Sequence, residues 1–102
     1  MTATLDMREA DRAIVCGILR GHLPATVSAY VFGSRAHGGA RRFSDLDLAL
    51  SGGGSLDPAL IGMLKEALSE SDLPYRVDIL DLALVDPAFA GRVMRDAIPL
   101  VF

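Results

Sequence analysis

Two aspartates beside a leucine-rich strand are the first residues of this sequence that could do chemistry. Asp45 and Asp47 lie on either side of Leu46, and alternate side chains of a strand share one face. Two carboxylates about 7 Å apart on one face repel each other and gain nothing from packing. A divalent cation removes that repulsion, and oxygen ligands of this kind suit Mg²⁺ or Mn²⁺. The spacing therefore predicts a metal site.

A phosphate site is predicted a few residues earlier. Gly33-Ser34 follows a β-branched and aromatic segment and opens a glycine-rich turn, so backbone N–H groups can point at an anion. The Ser34 hydroxyl adds a donor, and three nearby arginines add positive charge: Arg35, Arg41 and Arg42. Ten residues separate Ser34 from Asp45. The two motifs together are far more specific than either alone, although both aspartates could also be solvated residues at a strand entrance.

The composition describes the kind of protein that must hold these residues. The chain has 102 residues, of which 51% are hydrophobic and 23% charged, and its net charge is −3. We expect a single domain over residues 1–102 and no direct nucleic-acid binding, because nucleic-acid binders usually carry a basic face. Cys16 lies among aliphatic residues and is expected to be a buried thiol. Without a secretory signal or a long apolar run, we expect a cytoplasmic location and no membrane contact.

The hydrophobic pattern predicts helix, strand, loop, strand, helix, strand and helix in that order. The first helix should be amphipathic over Met7–Arg20 and end near Gly21, with Asp6 as its cap and apolar residues at Met7, Ala10, Ile14, Ile18 and Leu19. Asp57-Pro58 and Asp86-Pro87 are cap signals for two later helices. Strands are predicted over Thr26–Phe32, Leu46–Leu50 and Tyr75–Leu80, with a short edge strand over Ile98–Phe102. This order predicts a small sheet covered mainly on one side by helices; the strand directions stay open.

The strings GSRAHG (Gly33–Gly38) and SDLDLAL (Ser44–Leu50) resemble the signature of the DNA-polymerase-β-like nucleotidyltransferases, and in particular the minimal nucleotidyltransferase branch. The likeness is tight over Val31–Leu50 and rests elsewhere on element order and length. It implies an α+β nucleotidyltransferase fold, with a small mixed sheet flanked by helices. It also implies a third carboxylate on a following strand. Asp78 fits that position, and Asp81 is a rival that would face the opposite way.

The same resemblance implies roles for the site residues. Asp45 and Asp47 would bind the Mg²⁺ or Mn²⁺ that carries a nucleoside triphosphate, expected to be ATP. Asp78 would join them at a second metal and favour deprotonation of an acceptor hydroxyl. The terminal phosphates would be gripped by Gly33, Ser34 and Arg35.

The resemblance further implies a partner, since minimal nucleotidyltransferases are often paired with a helical protein of the HEPN type. The leading interpretation is an antitoxin that transfers AMP to a hydroxyl, expected to be a tyrosine, of a HEPN toxin encoded nearby. Two alternatives stay open: a non-catalytic module that covers the toxin, and a small-molecule (antibiotic) nucleotidyltransferase. Larger superfamily members use an additional domain for the acceptor. We expect none within these residues, so a partner or homo-oligomer would complete the site.

Overall fold

The computed structural model describes residues 5–37, 40 and 43–102. Four helices and four strands alternate along them, with one 3₁₀ turn at Leu82–Leu84 that the sequence pattern did not predict. The elements, in chain order, are α1 (Glu9–His22), β1 (Ser28–Phe32), α2 (Ser34–His37), β2 (Leu46–Ser51), α3 (Pro58–Ser69), β3 (Val77–Asp81), α4 (Pro87–Arg95) and β4 (Ile98–Leu100).

The strands form a four-stranded mixed sheet in the order β3-β2-β1-β4. The β1 strand runs antiparallel to both β2 and β4, whereas β2 and β3 are parallel. A parallel neighbour requires a crossover connection, and α3 with its flanking loops supplies it. The predicted α+β class with a small mixed sheet is therefore confirmed, and β4 lies at the sheet edge as predicted.

One face of the sheet, the back face, carries the hydrophobic core. Leu46, Leu48 and Leu50 are 0% exposed and belong to one cluster with Val15 of α1 and Leu64 of α3. Strand alternation places Asp47 on the opposite face, which we call the front face. Burial of the leucines thus orients the aspartate between them.

The proline-marked helix starts are confirmed. The carboxylate of Asp57 accepts a hydrogen bond from the Ala59 amide at 2.9 Å, and Asp86 accepts one from Ala88 at 2.8 Å. In both cases proline occupies the first helical turn, where its missing N–H group costs nothing. These two helices are therefore started by local chemistry alone.

The prediction for α1 is wrong in its cap, and its apolar pattern matches the buried side of the helix only in part. The residue at the cap position is Arg8, which makes no side-chain cap bond, and Asp6 lies outside the helix. The helix buries Asp11, Val15, Cys16 and Leu19. Of the predicted apolar positions, Leu19 is therefore buried, and Met7 and Ile18 are partly buried against the core. The buried side of the helix includes Asp11, which accepts a hydrogen bond from Tyr75 on another segment. The predicted burial of Cys16 is confirmed.

None of the helices in the described part of the chain combines the length and apolar character needed to cross a membrane.

Candidate active site

The site is built where β2 and β3 begin side by side. Asp47 of β2 and Asp78 of β3 are register partners in the parallel pair, and partners on adjacent strands project from the same face of a sheet. Asp47 is half-buried and Asp78 is exposed. Asp45 lies one residue before β2 and is exposed. The structure therefore brings the predicted carboxylates to one corner of the front face.

The carboxylate of Asp47 is held in an unfavourable environment. Partial burial raises its pKa, and the negative charges of Asp78 and Asp45 raise it further. Within the described residues, neither Asp47 nor Asp78 has an ion-pair or hydrogen-bond partner. Repulsion without compensation in the fold itself is typical of a site that binds a cation.

Gly33 brings the turn after β1 directly against Asp47. Its φ of 74° lies in the left-handed region, where a side chain is strained. A Cβ atom at this position would collide with the Oδ2 atom of Asp47. Glycine is thus required for two reasons, and it leaves backbone within contact of the carboxylate. A phosphate bound at this turn would therefore lie next to a cation held by Asp47.

Ser34 opens α2, a single turn of helix within the stretch that the sequence pattern predicts as a loop. The turn is closed by the Ala36 amide, which donates to the Gly33 carbonyl at 3.0 Å. Ser34 is half-buried at the mouth of this turn. The remaining predicted members of the loop, Gly38, Gly39, Arg41 and Arg42, lie outside the described residues.

Arg35 is placed differently from its predicted nucleotide-binding role. Its side chain is buried, with 5% of the residue exposed. Nε and Nη2 donate to the Ser44 carbonyl, and Nη1 donates to the Asp6 carbonyl. The guanidinium carbon lies 3.9 Å from the centre of the Tyr75 ring. The guanidinium thus faces the interior, and this placement gives no support to a phosphate contact.

Asp81, the rival third carboxylate, is occupied by the backbone. Its Oδ2 accepts from the Leu56 amide at 2.8 Å and its Oδ1 from the Ala83 amide at 3.0 Å. It lies three residues beyond Asp78 on the same strand, so it belongs to the back face. Geometry therefore groups Asp78, and not Asp81, with Asp47.

A buried polar network lies beside the site and was not predicted from the sequence. Asp11, which is 2% exposed, accepts hydrogen bonds from Arg8 and from the Tyr75 hydroxyl at 3.1 Å. The hydrogen bond from Arg8 holds the pKa of Asp11 below its usual range, against the opposing effect of burial. The three-residue spacing of Arg8 and Asp11 was a weak signal for an ion pair. No local pattern could have indicated Tyr75, which is 64 residues away.

The donor set at the corner fits a hard divalent cation. Its ligands would be carboxylate oxygens, which Mg²⁺ and Mn²⁺ prefer. Across residues 5–37, 40 and 43–102, no three acidic, histidine or cysteine side chains are already closed into a metal-binding group. In proteins Mg²⁺ typically takes one or two carboxylates and fills its other positions with water and substrate phosphates.

The comparison with protein families decides the identity of the fold. The model of the family described as polymerase beta, nucleotidyltransferase, matches residues 18–101. The chain belongs to this family. The nucleotidyltransferase resemblance predicted from Gly33-Ser34 and the aspartates is thus confirmed, and the chain is a nucleotidyltransferase.

Two individual proteins are also similar to this chain. The chain is 46% identical over 93 residues to a protein of Haemophilus influenzae named probable protein adenylyltransferase MntA, covering 91% of this chain and 81% of that one. It also resembles a chain from a crystal structure of a toxin–antitoxin with AMP-PNP, at 27% identity and a TM-score of 0.74, covering 89% of this chain and 73% of that one.

A third comparison shows the fold alone. A complex of a tri-AMPylated HEPN toxin with its MNT antitoxin from Shewanella oneidensis contains a chain that matches with a TM-score of 0.69 at 24% identity. The match covers 93% of this chain and 72% of that one. The small mixed sheet with its flanking helices is therefore shared with a chain of quite different sequence.

Proposed function

We propose that this nucleotidyltransferase transfers AMP from ATP to a hydroxyl group of a partner protein. The observation that carries the proposal is the register of β2 and β3, which sets Asp78 beside Asp47 on one face. These two paired carboxylates lie beside the exposed Asp45 and beside the turn at Gly33, which can accept phosphate. Such an arrangement suits the transfer of a nucleoside monophosphate from a triphosphate. A bond forms between the acceptor oxygen and the α-phosphorus. The bond between the α-phosphorus and the oxygen that bridges it to the β-phosphorus breaks, and pyrophosphate leaves.

Asp45, Asp47 and Asp78 are the residues that would hold the divalent metal, with Mg²⁺ as the expected ion. When bound, the metal supplies charge neutralisation at the attacking and leaving oxygens of an in-line displacement. The carboxylates themselves favour that charge, because burial and the neighbouring Asp78 and Asp45 raise the pKa of Asp47. ATP binding and metal binding are therefore expected to be mutually dependent.

Gly33 and Ser34 would hold the terminal phosphates. The backbone at Gly33 comes within contact of Asp47 because it has no Cβ atom, so the phosphates and the carboxylates can share one small volume. The Ser34 hydroxyl adds a hydrogen-bond donor at the start of α2. Positioning and electrostatic stabilisation supply most of the catalysis in phosphoryl chemistry, and these two residues contribute to both.

Asp78 would act at the acceptor side. It is the more exposed partner of the Asp47–Asp78 pair, so an incoming hydroxyl can approach it from solvent. Its negative charge favours loss of the hydroxyl proton as the oxygen attacks the α-phosphorus. Asp47, which is half-buried and in contact with the phosphate turn, would stay on the nucleotide side.

The partner is proposed to be a HEPN-type toxin encoded nearby, with a tyrosine as the modified residue. The support comes from relatives: one is named a probable protein adenylyltransferase, and another belongs to a toxin–antitoxin complex with AMP-PNP. Transfer of AMP would then neutralise the toxin. The protein would act in the cytoplasm, where ATP and the toxin are both present.

The test is a transfer assay with the adjacent HEPN protein, Mg²⁺ and each of the four labelled ribonucleoside triphosphates in turn. Label from ATP on a tyrosine of the partner, with loss of its toxicity, is the expected result. Neutralisation without any label would show a binding module. Label that appears only on an added aminoglycoside hydroxyl would show a small-molecule nucleotidyltransferase.

A further inference from the structure

We infer that Arg35 is a positioning residue that fixes the phosphate turn, the start of β2 and the approach to β3 relative to one another. The inference rests on the proposed function, because it concerns the geometry of that same site. Arg35 follows Ser34 directly, and its side chain reaches segments that adjoin the two other parts of the site. The backbone of Arg35 thus belongs to the phosphate turn, while its guanidinium contacts the segments that precede β2 and β3.

The first connection runs from Arg35 to the start of β2. Nε donates to the Ser44 carbonyl at 3.1 Å and Nη2 donates to the same oxygen at 2.8 Å. Ser44 immediately precedes Asp45, so this two-pronged contact holds the backbone from which the first carboxylate projects. Charged donors make such hydrogen bonds stronger than neutral ones.

The second connection runs from Arg35 to the segment before β3. The guanidinium carbon lies 3.9 Å from the centre of the Tyr75 ring, within the range of a cation–π contact. Tyr75 is three residues before Asp78. Between them, the Arg76 carbonyl accepts a hydrogen bond from the Leu46 amide at 2.8 Å, which begins the pairing of β2 with β3.

The third connection keeps the guanidinium facing inward. Nη1 donates to the Asp6 carbonyl at 2.9 Å, and the Asp6 amide donates to the Arg35 carbonyl at 2.8 Å. Backbone and side chain of Arg35 thus hold the same residue from two sides. A side chain held in this way links segments of the protein and does not reach out to substrate.

Arginine is required for this role because its guanidinium is planar and carries five N–H donors in a fixed fork. It can donate to two carbonyls in its plane while its face stacks on an aromatic ring. The lysine ammonium has the same charge but no plane, so Arg35→Lys keeps the charge and loses the geometry. This substitution separates positioning from simple attraction of phosphate.

Amide hydrogen exchange of the nucleotide-free protein tests the inference without any assay of activity. In Arg35→Lys, the amides of Ala36 and Leu46 should exchange at least about tenfold faster, because local opening becomes easier. The Leu23 amide, bonded to the Leu19 carbonyl at the far end of α1, should not change. Equal acceleration of all three amides, or of none, would overturn the inference. Arg20→Lys, an exposed arginine of α1, is the matched control.

Kinetics supply the second readout. For Arg35→Lys we expect kcat for AMP transfer, per folded molecule, to fall about tenfold or more, since small misplacements slow transfer strongly. The KM for ATP should stay within about threefold of wild type, because uniform substrate binding is retained. A large rise in KM with unchanged kcat would overturn positioning and establish direct phosphate contact.

Tyr75 variants keep the test valid if Arg35→Lys does not fold. Tyr75→Leu removes the stacked ring and should lower kcat in the same direction, whereas Tyr75→Phe keeps the ring and should recover most of the rate. Equal rates in the two variants would count against the stack. If the wild-type protein transfers no AMP while the exchange pattern appears as expected, the proposed function fails and the mechanical link remains.

Discussion

Asp47 and Asp11 are two carboxylates that the same small fold treats in opposite ways. Asp11 is almost fully buried, yet Arg8 and Tyr75 donate hydrogen bonds to it and its pKa is lowered. Asp47 is only half-buried, but its neighbours are acidic and its pKa is raised. Among residues 5–37, 40 and 43–102, the protein thus compensates the charge that it buries more deeply and places no hydrogen-bond or ion-pair partner on the shallower one.

The different surroundings of Asp11 and Asp47 indicate that one carboxylate serves stability and the other serves function. A buried charge with its own donors joins distant segments and supports the folded state. A charge left without donors destabilises the apoprotein and is useful only when a ligand supplies the missing cation. Asp81 belongs with Asp11 in this respect, because two backbone amides donate to it. The chemistry of each acidic residue therefore follows from its surroundings.

The largest expected effect comes from removing the uncompensated charge. Asp47→Asn should reduce AMP transfer by about 1,000-fold, the upper range for loss of one electrostatic group in an active site, and should weaken Mn²⁺ binding in the presence of ATP. The metal-free variant should have an unchanged or slightly higher Tm, because a repelled carboxylate is lost. Transfer assays, Mn²⁺ titration and thermal unfolding measure these effects. Wild-type affinity for Mn²⁺ would refute the assignment of Asp47.

The two carboxylates of β3, Asp78 and Asp81, can be compared directly, and we expect a smaller loss of AMP transfer than for Asp47→Asn. Asp78→Asn should lower transfer about 100-fold and leave ATP binding nearly unchanged, because Asp45 and Asp47 remain. Asp81→Asn should instead destabilise the fold by about 1 kcal/mol through weakened backbone hydrogen bonds, with normal transfer per folded molecule. Transfer kinetics and chemical denaturation distinguish them. The reverse pattern would make Asp81 the third carboxylate.

Two glycines with similar backbone conformation allow the effect of backbone strain to be distinguished from the effect of a steric clash with Asp47. Gly33 and Gly53 have φ values of 74° and 80°, so alanine at either should cost about 1–2 kcal/mol in stability. A Cβ at Gly53 meets nothing, whereas at Gly33 it collides with Asp47. Only Gly33→Ala should also weaken ATP binding, by about tenfold, which corresponds to roughly 1.4 kcal/mol. Equal ATP affinity of the two variants would refute the phosphate turn.

The compensated carboxylate, Asp11, should make the stability of the fold depend on pH. Asp11→Asn should cost about 1–3 kcal/mol near neutral pH, since hydrogen bonds to a charged group are lost. The folded-state pKa of Asp11 lies below its unfolded value, so its contribution is complete above about pH 4 and is lost as the pH falls through the folded value. The stability difference between wild type and variant should shrink accordingly in urea titrations at decreasing pH. A difference independent of pH would contradict the charged role of Asp11.

Local signals in the sequence were sufficient for much of the fold. The Asp57-Pro58 and Asp86-Pro87 pairs start α3 and α4 as predicted, because a cap and a first-turn proline act within a few residues. Alternation of leucine with aspartate placed Asp47 on the face opposite the core, since a strand has a period of two. The spacing of Ser34 and Asp45 was enough to indicate the nucleotidyltransferase family.

Contacts between distant segments decided the rest. The sequence could not show that β2 and β3 are parallel, and that register groups Asp78 with Asp47 and turns Asp81 to the back. The sequence predicted that Arg35 grips phosphate and gave no sign that Asp11 is buried, whereas in the structure Tyr75 contacts both side chains. Periodicity and capping are short-range and therefore visible in the sequence, whereas strand register and the pairing of buried charges depend on which segments pack together.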